Sequence, residues 1–101
     1  MKQLNQKQAI YIAENNLTCN FTDIQKARFQ INQQLLCMEF STFHEALEKA
    51  VGFPVWTHQF ASKEFVDELK SIVNNTGEPD LDDFINMFGK QHQIAVLSME
   101  D

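Results

Sequence analysis

The sequence predicts an α+β fold, mainly helical, with about five helices and a small two-stranded sheet that includes a C-terminal strand. Three observations carry this expectation. Apolar residues recur at helical spacing through most of the chain, and capping and stop residues bracket those stretches. Two short segments, PVWTHQF at 54–60 and QIAVLSM at 93–99, have instead the β-branched and aromatic character of strands.

Taken in order, the first helix is expected from about Asn5 to Asn16, with Ala9, Ile12, Ala13 and Leu17 on one face and paired asparagines at its end. Thr22 and Gln25 form a capping-box pattern that opens a long second helix, striped by Ile24, Ala27, Ile31, Leu35 and Met38. Its wet side is expected to be Gln25, Lys26, Gln33 and Gln34. A third helix is capped by Ser41 or Thr42, with Glu45 completing a box from Thr42. Phe43, Ala46, Leu47, Ala50 and Val51 form its inner stripe. Gly52 closes it and Pro54 prevents its resumption. PVWTHQF then reads as a strand that places Trp56, His58 and Phe60 on one aromatic face.

Ser62 caps a fourth helix from Lys63 to about Val73, with Phe65, Val66, Leu69, Ile72 and Val73 inward. Asn74, Asn75, Thr76 and Gly77 end it. Glu78, Pro79 and Asp80 make a turn into a fifth helix, Leu81 to Phe88, with Asp80 as N-cap and Gly89 as stop. Gln93 to Met99 follows as the last strand, pairing with 54–60 in either direction. Two strands are marginal alone, so a homodimer formed through the C-terminal strand is a further expectation.

At 101 residues the chain is expected to be one domain, 1–101, with a core that needs neither disulfide nor structural metal. No apolar run reaches membrane-spanning length, and the opening MKQLNQKQ lacks a signal-peptide-like stretch, so a cytoplasmic location and no membrane partner are expected. Residues 1–50 hold five Lys/Arg and five Asp/Glu, whereas residues 51–101 hold three and nine. The net charge of −6 therefore lies in the second half, which disfavours direct nucleic-acid binding and favours a basic protein surface as partner.

Cys19 and Cys37 fit neither a zinc finger nor a redox pair and are expected as free, largely buried thiols. His44, His58 and His92 have no ligand spacing, so no metal site and no cofactor are expected. His44 is placed at the surface beside Glu45 and Glu48, and His58 beside Trp56 and Phe60. Cys37 with His44 lacks an oxyanion hole, and an EF-hand reading from Asp80 fails because Ile85 occupies the glycine position. A helix-turn-helix over 22–38 would offer only Lys26 and Arg28 as cations. The candidate partner-binding residues are therefore Trp56, His58 and Phe60, and the acidic set Glu64, Asp67, Glu68, Asp80, Asp82 and Asp83.

The segment Leu36–Ala61, LCMEFSTFHEALEKAVGFPVWTHQFA, resembles small uncharacterised proteins of tailed-phage and prophage genomes, in which FHEALEKA and PVWTH occur at this spacing. Phe53 departs from that pattern, which has arginine between the glycine and the proline. The resemblance implies a phage or prophage origin and a bacterial cytoplasm, and brings no enzymatic activity. The expectation is a non-catalytic protein that binds and modulates a host or phage protein, as anti-defence proteins do. The alternatives are a metal- or Cys/His-dependent enzyme and, below it, a helix-turn-helix DNA binder.

Overall fold

Six α-helices and one 3-10 helix, with no β-strand, lie among the described residues of the computed structural model, 3–75 and 81–100. They are α1 (Gln6–Glu14), α2 (Asp23–Ile31), α3 (Phe40–Val51), the 3-10 helix (Thr57–Ala61), α4 (Lys63–Asn74), α5 (Leu81–Asn86) and α6 (Lys90–Ser98). The α+β expectation is corrected: neither expected strand forms, 57–60 lying in the 3-10 helix and 93–98 in α6, and with them goes the route to a homodimer through a C-terminal strand.

The physical reason lies in where the backbone groups find partners. At 54–60 the Trp56 N–H donates to Gln59 Oε1 (2.7 Å), and Gln59 N–H donates back to Trp56 O (2.9 Å), so the segment curls instead of presenting an edge. Without an edge to pair with, residues 93–99 satisfy their backbone internally, and Gln91, Gln93, Ala95 and Leu97 are good helix formers. Side chains of α1 then hold α6. Asn5 Nδ2 donates to Met99 O (2.8 Å), Gln8 Nε2 donates to Val96 O (2.9 Å), and Tyr11 Oη meets His92 Nδ1 (2.8 Å). As α1 advances, its partners on α6 recede, so the two helices are antiparallel.

Local signals account for most helix ends. Asn5 and Gln8 make a reciprocal capping box at α1, as Thr22 and Gln25 do at α2. Helix α1 closes in a Schellman motif: Asn16, at φ +50°, donates to Ala13 O and Leu17 donates to Ile12 O, both at 3.1 Å. Ser62 Oγ caps α4, accepting from Phe65 N–H at 3.3 Å. Gly52, at φ +82°, ends α3 as expected. The start of α3 differs: its N-cap is Glu39, without a side-chain hydrogen bond, and Ser41 and Thr42 lie inside the helix. The expected stop at Thr76–Gly77, the turn Glu78–Asp80 and the Asp80 cap lie outside the described residues.

Helix α2 packs on α3 and α4, α3 on α4, the 3-10 helix on α4, and α6 on both α1 and α5. One hydrophobic cluster draws on every α-helix, including Ile12, Phe29, Leu47, Leu69, Phe84 and Val96. Phe21, Phe29, Phe84 and Phe88 form a ring cluster with centroids 5.1–6.1 Å apart, which brings α5 onto α2. Each such pair contributes about 0.5–1.5 kcal/mol beyond area burial. Among the described residues no helix is long and apolar enough to cross a membrane.

The second helix is shorter than its stripe suggests. Asn32 turns its amide back to Arg28 O (2.8 Å) and across to Asn74 Oδ1 (2.8 Å), and Arg28 Nη1 donates to Asn74 O (2.7 Å) at the end of α4. Beyond Ile31 the chain is a loop held by glutamines. Buried Gln30 accepts from Cys37 N–H (2.7 Å) and donates to Leu35 O (2.9 Å); buried Gln33 accepts from Leu4 N–H (2.8 Å). Gln33 is thus inside, not on the wet side, and Leu35 is exposed. Ala13 and Ile72, expected inward, are exposed as well.

Candidate functional site

The PVWTH segment is fixed by one turn of α3. His44 and Glu48, four residues apart, hold the backbone of one residue from both sides: Val55 N–H donates to Glu48 Oε2 (2.8 Å), and His44 Nε2 donates to Val55 O. A carbonyl only accepts, so the Nε2 nitrogen carries the hydrogen. The Glu48 carboxylate lies 3.8 Å from that nitrogen. Val55 itself is buried in the core. His44 is accordingly half-buried and engaged rather than simply displayed at the surface.

With Val55 anchored inward, its neighbour is turned outward. Trp56 is 64% exposed. Phe60 follows four residues later, a third of a turn past a full 3-10 turn, and returns to the protein, where its ring lies 5.5 Å from Phe40, 5.9 Å from Phe43 and 6.2 Å from His44 between centroids. His58 is exposed and has no ring contact with Trp56 or Phe60, so the expected packing beside them is corrected. The single aromatic face of Trp56, His58 and Phe60 does not form, because it depended on the period of two of a strand. What forms is an outward indole beside an inward phenylalanine.

Phe40 and Phe60 also border an open groove of about 320 Å³, with Gln30, Gln33, Leu36 and Val66 as further walls. Phe40 and Leu36 are large exposed apolar residues, and neither was among the candidate binding residues expected from the sequence. The signal was there: once α2 stops at Ile31, the pair Leu35–Leu36 has no helical stripe to belong to.

Of the acidic candidates, Glu64, Asp67 and Glu68 are exposed on α4, at the spacing of one helix face. Asp82 and Asp83 are exposed in the first turn of α5. No hydrogen bond or ion pair joins the two sets among the described residues, and Asp80 lies outside them. Elsewhere on the surface, the Lys49 ammonium hydrogen-bonds Glu45 (3.0 Å), which lowers the Glu45 carboxyl and raises Lys49.

The groups considered for chemistry are not brought together. Cys37 is 1% exposed, its Sγ donates to Leu35 O (3.6 Å), and burial pushes its thiol up to about 12, while His44 faces Val55. Cys19 is exposed, which corrects the expectation of a buried thiol. Among the described residues no three His, Cys, Asp or Glu side chains converge as metal ligands. Arg28, one of the two cations available to a DNA-reading helix, is committed to the end of α4.

No curated protein and no solved structure matches the chain. A family model described as a domain of unknown function, DUF7736, matches residues 24–74. That span is the structural unit just described, from the first turn of α2 to the Asn74 carbonyl that Arg28 holds. With half of its length inside the match, the chain belongs to the DUF7736 family.

Proposed function

We propose that this protein is a non-catalytic binding module of phage type, which works in a bacterial cytoplasm and modulates a host or phage protein through the surface around Trp56. The observation that carries the reading is the contrast between an exposed indole and the fixed backbone beneath it. Among the described residues Trp56 is the most exposed of the large apolar side chains, yet the preceding residue has both its N–H and its C=O hydrogen-bonded by α3. A tryptophan on a preorganised turn loses little entropy on contact and suits a binding hot spot. The groove that Phe60 of the same 3-10 helix lines with Leu36 and Phe40 offers apolar surface for the rest of a contact.

Helix α4 begins two residues after the 3-10 helix ends, and its Glu64, Asp67 and Glu68 outnumber Lys63 and Lys70, which leaves the neighbouring surface a weak negative field. Such a field speeds encounter with a basic partner more than it deepens affinity. The test is affinity purification of the tagged chain from nuclease-treated bacterial lysate, with Trp56→Ala as comparison. One stoichiometric partner is expected, with affinity reduced at least about 30-fold by the substitution, the scale of a hot-spot loss near 2 kcal/mol. Unchanged recovery by Trp56→Ala overturns the assignment of the surface.

A further inference from the structure

We propose that the outer face of α1 is a self-association site, at which two copies of the chain pack antiparallel about a two-fold axis. Lys7, Ile10 and Glu14 fall within one narrow stripe of α1, opposite the buried side that carries Ala9 and Ile12. Ile10 is 46% exposed, and with Lys7, Tyr11, Glu14 and Met99 it lines a shallow, mainly apolar groove of about 310 Å³. Lys7 and Glu14 are exposed and form no ion pair among the described residues.

The spacing of these two charges selects the occupant. A two-fold axis passing between residues 10 and 11 sets each position against the one that completes a fixed sum, so Lys7 of one copy faces Glu14 of the other, twice. By the same rule Ile10 of one copy faces Tyr11 of the other at the centre, twice. The stripe is therefore complementary to itself in charge and in apolar content, which is the requirement of an isologous contact. Two nine-residue helices bury an area at the low end for specific interfaces, below about 1,200 Å². The dimer is accordingly of the weak, transient class.

Sedimentation equilibrium of the full chain from roughly 10 µM to 1 mM tests this. Wild type is expected to shift from monomer to dimer across that range. Lys7→Glu and Glu14→Lys, each alone, turn two attractive pairs into two repulsive ones and are expected to weaken association about tenfold. An equimolar mixture of the two variants re-creates both attractive pairs between unlike chains, and is expected to restore dimer at the wild-type concentration. Both positions are exposed, so unchanged thermal melts by circular dichroism establish that the variants remain folded. A wild type that stays monomeric throughout overturns the proposal, as do single variants that dimerise normally or a mixture that gains nothing.

Discussion

Cys37 couples the stability of the core to pH through a single buried group. Its thiol is raised from 9.0 to about 12 by desolvation alone, so between those values the folded chain holds a proton that the unfolded chain releases. The contribution is complete below pH 9 and is lost as pH rises toward 12, which amounts to about 1.5 kcal/mol by pH 10. Urea unfolding at successive pH values is expected to show this decline in wild type and a flatter one in Cys37→Ala. Equal slopes would contradict it. Burial also predicts that only exposed Cys19 reacts with a thiol reagent in the folded protein. At this scale the glutamines were the hardest residues to read. Gln30 and Gln33 lie in a polar run that suggests a solvated face, but an amide carries donor and acceptor together and can replace a lost helical turn. No buried side-chain nitrogen or oxygen among the described residues lacks a partner. Composition gives no hint of which glutamines turn inward, because the loop they satisfy exists only after α2 has ended.

Helices with caps and a one-sided stripe were legible, and segments whose fate depends on a distant partner were not. Helix α4 follows its sequence signals from Ser62 onward, whereas PVWTHQF and QIAVLSM have strand-like residues and no sheet to join. A β-propensity is realised only against a neighbouring strand. The same element scale explains why FHEALEKA and PVWTH belong together: the first supplies His44 and Glu48, and the second supplies the Val55 N–H and C=O they hold. Glu48→Ala is therefore expected to cost about 1–2 kcal/mol in urea unfolding and to speed amide exchange at Val55, while Glu48→Gln, which keeps an acceptor, costs less. An alanine variant with unaltered exchange at Val55 would mean that the turn is held by Phe60 packing instead. The candidate site was legible in part. Trp56 was singled out by its aromatic context, but its side and its companions followed from the 3-10 helix, which the Trp56–Gln59 hydrogen bonds and the anchoring of Val55 on α3 shape together.

Across the whole molecule, the family-matched span α2–α4 supplies about half the chain, and α1, α5 and α6 complete the core around it with Ile12, Phe84 and Val96. The contact between the two ends rests on polar side chains: Gln8 reaches Val96 over a separation of 88 residues. Gln8→Ala leaves that carbonyl and the Asn5 amide without their side-chain partner, and is expected to destabilise the protein by about 1–3 kcal/mol. Faster hydrogen exchange in α6 than in α3 would accompany it, and uniform exchange would indicate that the ends do not separate locally. The charge split seen in the sequence has a structural counterpart in the exposed carboxylates of α4 and α5, although their relation to the aromatic turn could not be read from spacing. The placement of Trp56 has one more consequence, an optical one. It is the sole tryptophan, and its indole is already largely in water when the chain is folded. Its emission therefore changes little on unfolding, whereas a partner seated on the turn would exclude water and move the emission to shorter wavelength. The protein thus carries its own fluorescent reporter of occupancy, nearly silent to folding.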